Sequence, residues 1–406
     1  MLFDPARHEP LCDTPWSEAV ARAAVRAIAG DVCTAFDPLL LWPSHPRERE
    51  EGDKPVPQPM LYNGAAGVVW ALQRLQLQGD AEVGLDLAAI VAGLHLHSIH
   101  WIAAHESEVP SYFLGHSAVL LLQWKHQRSR ATADELFALV ESNLHNKALE
   151  SLWGSPGTLV AALHMVEATR EARWQALFRR GVDLLWDQMV PVRHSADPDR
   201  EVWIWKQDLY GKTSQYLGAG HGFAGNLFPV IRGARWLDDS VVEAFEARAV
   251  ATLEVAAARE PGLLHWEPQF DSAALGYPPR PMLQDCHGAP GIICRLAGAR
   301  SAVLRAMLLE AGELVWQAGP LVKRPGLCHG TDGNGYAFLK LHAVTGDAIW
   351  LGRARAFAMH ALQQSDVLAA QYGRRVPSLW TGDLGLALYL AACIRADDAL
   401  PTLDVF

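Results

Sequence analysis

Apolar residues along most of this chain recur at the helical period. Val68, Leu72 and Leu75 stand at i, i+4 and i+7. Leu87, Ile90, Val91 and Leu94 stand at i, i+3, i+4 and i+7, which is one face of a helix. Stretches rich in Ala, Leu, Arg and Glu at 241–259 and 296–317 predict two further helices. Alternating patterns are scarce. The segment 201–206, EVWIWK, alternates briefly and reads as one arm of a short hairpin. Pro43, Pro46, Pro55, Pro57 and Pro59 among charged residues make 43–59 a loop. Residues 187–215 and 267–285 read as long irregular segments, a length that usually carries function. No stretch approaches the roughly 18–20 apolar residues that cross a bilayer, so no transmembrane segment is expected.

A repeat organises these helices. Gly-x-x-Gly occurs at 64/67, 154/157, 222/225, 288/291, 330/333 and 382/385, and each pair ends a loop and opens an apolar helical run such as GVVWAL or GLALYL. YFLGHSAVLLL at 112–122 reads as a seventh copy that keeps Gly115 and has Ala118 in place of the second glycine. Seven copies leave about 58 residues each, enough for two helices and their connections. A helix pair cannot bury both of its faces alone, so copies must stack. The prediction is an all-α fold: one closed ring of helix pairs, with the glycine loops gathered at one end. Residues 1–60 form an N-terminal helix and Pro-rich loop that pack on the ring of 61–406, a single domain overall.

Composition narrows the partners. Lys+Arg 35 against Asp+Glu 45 gives a net charge of -10, which argues against nucleic acid. Six cysteines are too few for a disulfide scaffold, and MLFDPARHEP lacks the basic-then-apolar pattern of a signal peptide. A cytoplasmic protein with reduced thiols is expected.

Two adjacent copies carry the same tripeptide. Cys286-His287 precedes Gly288, and Cys328-His329 precedes Gly330. Ring symmetry would bring both to one mouth. Thiolate and imidazole are good zinc ligands. Two Cys and one His leave an open, catalytic position. Two Cys and two His would close the site, and two small buried cysteines beside capping histidines need no metal at all. His221, in GAGHG, is either a general acid or base or a helix cap. His95, His97, His100 and His105 read as partly buried or capping groups rather than a second metal site. The basic segment KHQRSR at 125–130 reads as a solvated turn, and most of the 15 Trp as packing anchors.

The runs YLGAGHGFAGN, DCHGAPGI, GLCHGTDGNGYAFL and PSLWTGDLGLALYL resemble the lanthionine synthetase C-like family over about residues 60–395. The resemblance implies a seven-fold α/α toroid and one zinc held by Cys286, Cys328 and His329. It implies addition of a thiol to dehydroalanine or dehydrobutyrine, giving a thioether. The cyclases of the family use a peptide cysteine, and the eukaryotic-type members use glutathione. Three details lean toward the glutathione type. His287 stands where cyclases more often have Tyr. Glu150 matches an acidic position that is Glu in that branch, and Lys323 matches a basic residue of the glutathione site. Arg374 or Arg375 and Arg7 are the further basic candidates. Asp285 and Thr381 depart from the family pattern, where Trp and an acidic residue are usual. Arg280 is the candidate for the active-site arginine upstream of the first Cys.

These residues suggest a mechanism in which His221 delivers the proton to the α-carbon and Glu150 orients it. Lys323 and an arginine at 374–375 bind glutathione carboxylates. Three readings stand: glutathione addition to dehydroamino acids in a peptide or protein, a peptide cyclase, and a non-catalytic glutathione- or protein-binding module.

Overall fold

The computed structural model describes residues 2–48, 56–105, 109–278 and 280–406. The described residues form fourteen α-helices. The chain begins with α1 (Glu18–Thr34) and then alternates between an inner and an outer ring. The pairs are α2 (Ala65–Leu77) with α3 (Leu87–His105), α4 (Ser117–Gln127) with α5 (Arg130–Ser142), and α6 (Ser155–Thr169) with α7 (Ala172–Asp187). They continue with α8 (Phe223–Arg232) and α9 (Asp239–Ala256), α10 (Ala289–Leu296) and α11 (Ala302–Ala318), and α12 (Thr331–Thr345) and α13 (Ala348–Tyr372). The last inner helix, α14 (Asp383–Arg395), packs on α2 and closes the inner ring. Its outer partner is α1, so the seventh pair joins the two ends of the chain. This is the α/α toroid that the repeat predicts.

Burial follows the two layers. An inner helix faces its two neighbours, the axis and an outer helix, so it is apolar all round: α6 is buried at every residue from Ser155 to Val166. An outer helix buries one stripe. In α7 that stripe is Trp174, Leu177, Phe178, Gly181, Val182 and Leu185, with charges elsewhere. The stretch 296–317 is not one helix, because α10 ends at Leu296. Ser301 then caps α11 by accepting from the Leu304 N–H.

The paired glycines have a steric role. Gly64, Gly154, Gly222, Gly288, Gly330 and Gly382 are the N-cap residues of α2, α6, α8, α10, α12 and α14. Three residues on, the second glycine is grazed by the loop that leads into its own helix. A Cβ on Gly291 would lie 1.7 Å from the Asp285 carbonyl oxygen, and one on Gly333 1.9 Å from that of Leu327. In the copy with Ala118, the helix begins one residue later relative to its first glycine, at Ser117.

Segment 187–215 is not irregular. It holds two antiparallel hairpins, β1 (Val190–His194) with β2 (Asp197–Ile204), and β3 (Gln207–Leu209) with β4 (Lys212–Ser214). A third hairpin, β5 (Ala257–Glu260) with β6 (Leu263–Trp266), follows α9. The segment 125–130 is likewise not a loop: Lys125–Gln127 end α4, and Arg128 takes the left-handed C-cap. α3 departs from the sequence expectation too. It is long and apolar enough to cross a membrane and contains no Asp, Glu, Lys or Arg. Here it is an outer helix, with Leu87, Val91, Leu94, Ser98 and Ile102 turned inward.

Residues 400–406 plug the axis at the end opposite the glycine loops. Thr402 is buried, and its carbonyl accepts from Tyr112 Oη at 2.5 Å and meets His164 Nε2 at 3.2 Å. Asp404 pairs with Lys340 of α12, and its carbonyl accepts from Arg232 of α8. Groups from separate repeats thus converge on one segment.

Candidate functional site

The site grows from a belt of backbone hydrogen bonds that links the glycine loops. Gly220 N donates to the Cys286 carbonyl at 3.1 Å, Cys286 N to Cys328 at 3.0 Å, and Cys328 N to Trp380 at 2.9 Å. Trp380 N donates to Tyr62 at 3.0 Å, and Tyr62 N to Phe113 at 3.0 Å. Each of these residues lies two positions before the first glycine of its repeat. The belt therefore sets Cys286 and Cys328 side by side.

Cys286, Cys328 and His329 each offer a ligand atom, and these atoms all lie within 4.8 Å of one another. Both cysteines are buried and His329 is half-buried. The hydrogen bond between the sulfurs holds the Cys286 thiol below its ordinary value and, with burial, the Cys328 thiol above it. Two thiols drawn together in this way, with an imidazole beside them, fit a Cys2His zinc site that keeps one position open. The three residues singled out as metal ligands are thus brought together. His287 is not a fourth donor in this group; its ring lies against Tyr216 and His221 instead.

His221 Nδ1 lies 2.9 Å from Glu150 Oε2, and Glu150 is fully buried. The other carboxylate oxygen accepts from the Trp153 N–H. Burial pulls the His221 pKa down, but the hydrogen bond and charge of Glu150, together with Cys328, outweigh it and leave the value raised. The His287 ring stacks 5.5 Å from that of His221, and its Nδ1 is buried without a partner. Its pKa is pushed down to about 3 by burial and then by the charges of His221, Arg280 and Arg7. His287 is therefore neutral at pH 7, while His221 holds its proton more strongly than a free imidazole.

The basic candidates divide. Arg7 Nη2 donates to Gln284 Oε1 at 3.0 Å, and Gln284 Nε2 donates to Cys286 Sγ at 2.9 Å, so Arg7 lies two contacts from a sulfur. A strand-like strap places it: Val322 N donates to the Arg7 carbonyl and Glu9 N to that of Pro320. Burial and then Arg324 lower the Lys323 pKa, while Cys286 and Cys328 pull it up. Arg280 is exposed, its backbone N–H bonds Glu267, and its charge reaches His287. The Arg375 guanidinium is held by Asp31, Asp366 and Ser365, so it ties α1 to α13. Arg374 lines the same outer cavity beside α1, and its charge acts on His45.

Several site residues escape the sequence reading. The Tyr62 hydroxyl hydrogen-bonds Cys328, and burial followed by that sulfur raises its pKa. Arg324 Nη2 donates to His329 Nε2 at 3.1 Å. Arg47 Nη2 donates to the Lys323 carbonyl at 2.6 Å. Arg47, Lys323 and Arg324 line a cleft of about 460 Å³ together with Glu9 and His360. Glu48 accepts from the hydroxyls of Ser378 and Thr381, so a carboxylate from another segment stands at Thr381. Tyr62 had a signal: it occupies the same repeat position as Cys286 and Cys328. Arg47 and Glu48 had none, since only the fold brings them near.

Beneath the sulfurs the axis is nearly full. A cavity of about 20 Å³, lined by Cys286, Cys328, Phe113, Phe228 and Leu403, has room for about one water. The sulfurs are therefore not reached along the axis from beneath.

A family model described as "Lanthionine synthetase C-like protein" matches residues 55–405. The LanC-like protein GCL1 of Arabidopsis thaliana is 43% identical over 90 residues, 21% of this chain and 21% of that protein. Glutathione S-transferase LANCL1 of Danio rerio is 38% identical over 118 residues, 27% of this chain and 28% of that protein. Each match spans less than a third of the relative's length. The structure of nisin cyclase superposes with a TM-score of 0.62, 13% identity, and coverage of 93% of this chain and 94% of that one; this likeness concerns the fold. On a family match that runs through all seven repeats, the chain belongs to the lanthionine synthetase C-like proteins.

Proposed function

We propose that the protein forms carbon–sulfur bonds by adding glutathione to dehydroalanine or dehydrobutyrine residues of a peptide or protein. The observation that carries this reading is a cationic cleft beside a Cys2His cluster. The cleft is of the size that takes small ligands. A zinc ion held by Cys286, Cys328 and His329 would supply the Lewis acidity that makes a bound thiol anionic at neutral pH.

The chain's own residues supply the rest. Lys323, Arg47 and Arg324 offer donors to the two carboxylates of glutathione, and Arg7 adds positive charge next to Gln284. The new bond joins sulfur to the β-carbon, and the π pair of the alkene moves toward the α-carbon and its carbonyl. The thiol proton leaves to water, and His221 gives a proton to the α-carbon and regains one from water, so the net change is addition of S–H across the alkene. Glu150 occupies Nδ1 of His221 and leaves Nε2 to carry that proton. Neutral His287, stacked on His221, adds no competing positive charge. The reaction needs a compartment where thiols stay reduced, and all six cysteines are free, in keeping with a cytoplasmic setting.

The test is incubation of the purified protein with a dehydroalanine peptide, with and without glutathione. A thioether adduct that requires glutathione supports the reading. Ring formation by a peptide's own cysteine without glutathione replaces it with a cyclase. Glutathione binding without turnover, unchanged in Cys328→Ala, replaces it with a binding module. Lys323→Ala is expected to raise KM for glutathione and leave KM for the peptide unchanged.

A further inference from the structure

A second group of metal-ligating side chains lies where the outer helices α3 and α5 meet the start of the inner helix α4. His95 comes from α3, His116 is the N-cap of α4, and Glu135 lies on α5. His116 Nε2 is 3.1 Å from His95 Nδ1 and 3.7 Å from Glu135 Oε1. The three donor atoms all lie within 4.8 Å of one another. Metal–ligand bonds of about 2.0–2.2 Å set tetrahedral donor atoms about 3.3 Å apart. The two measured separations bracket that spacing.

His116 is built into the fold, with 3% of its surface exposed. Its Nδ1 lies 2.7 Å from the hydroxyl of buried Ser98. An Nδ1–H donated to Ser98 leaves the Nε2 lone pair facing the cluster, the arrangement that orients metal-bound imidazoles. His95 is half-buried and Glu135 exposed, so one side is open to an entering ion and to a water ligand. The donor set contains no sulfur and only one carboxylate. That favours zinc and its first-row neighbours over calcium or magnesium.

We propose that His95, His116 and Glu135 form a second divalent transition-metal site, separate from Cys286, Cys328 and His329, which ties α3 to α4 and α5. α3 has reason to need a tie. It buries only Leu87, Val91, Leu94, Ser98 and Ile102 and leaves Leu96 and Ile99 exposed. The site does not depend on the proposed reaction.

The test uses the full chain, stripped with a chelator and titrated with Zn²⁺ alone and then with Co²⁺ alone. Wild type is expected to take two equivalents, and a His95→Ala/Glu135→Gln double variant one. Cys328→Ala is expected to keep the His95 equivalent, with a Co²⁺ spectrum free of sulfur-to-metal charge transfer. Ser98→Ala is expected to weaken that equivalent about ten- to a hundredfold. The double variant changes two accessible residues, and its circular dichroism without metal should match wild type. Absence of any bound metal in Cys328→Ala, or an equal number of equivalents in wild type and the double variant, would overturn the proposal. Loss of thioether activity in Cys328→Ala while the second equivalent persists separates this site from the mouth.

Discussion

Cys286 and Cys328 are joined twice, by a backbone hydrogen bond of 3.0 Å from the Cys286 N–H to the Cys328 carbonyl and by a hydrogen bond between their sulfurs. The first is a rung of the belt around the mouth, so the spacing of the sulfurs is set by the ring rather than by a flexible loop. Cys328→Ala should leave the rung and the fold intact and remove one metal donor. A free thiol is only a few per cent ionised at pH 7, so losing thiol activation alone should slow thioether formation about thirtyfold or more. Metal content and turnover, measured on the same preparation, check this.

Glu150→Gln should shift the pH profile. The raised pKa of His221 comes from the hydrogen bond and charge of Glu150 acting against burial. Without that charge, burial dominates and the pKa falls. Activity that needs protonated His221 should then decline at lower pH on the alkaline side. The sign for stability is fixed too: the pair's contribution is fully present below the unfolded histidine value of about 6.5 and lost as pH rises through the higher folded value. Glu150→Gln should therefore reduce stability more at pH 6 than at pH 9. Imidazole NMR titration and denaturation at two pH values test both statements.

Gly333→Ala should destabilise by about 3 kcal/mol or more, because its Cβ would sit 1.9 Å from a backbone oxygen that cannot move without the Cys328 loop. Bound metal should fall with it. Gly352→Ala is the control. It lies within α13 with nothing near its Cβ, and should stabilise by about 0.5–1 kcal/mol. Urea denaturation distinguishes the two.

Arg295→Met should be costly. Arg295 makes two hydrogen bonds, of 3.0 and 2.9 Å, to Asp285, and both side chains are buried. Removing the cation strands a buried carboxylate next to Cys286, a loss of about 3–5 kcal/mol. Adding Asp285→Asn should recover much of it. Thermal unfolding of the two variants checks the order.

Much of the fold was legible because each repeat marks its helix start with a glycine, and a glycine there has a steric cause. The Cys-His-Gly tripeptides shared by neighbouring repeats pointed to one mouth holding both cysteines, and the family resemblance selected His329 over His287. Of the hairpins in 187–215 only one arm was legible, the brief alternation of 201–206 that falls largely within β2; the other strands are too short to show a period, and the rest of the segment read as irregular. The partners of Arg375 were not legible, because sequence counts cations without showing which carboxylates they meet. Asp31 is far from it along the chain and adjacent in the fold. Arg47 and Glu48 reach the mouth from the Pro-rich segment, for which helical periodicity offers no guide.

The pairing of α1 with α14 has a consequence for biosynthesis. α1 must wait for α14, more than 300 residues on, before its apolar stripe is covered, and the plug of 400–406 follows α14. Until α14 has emerged, the nascent chain is an open arc with sticky edges at both rims. Its passage to a sealed annulus is a step at which a folding helper would act and at which premature termination leaves an aggregation-prone fragment.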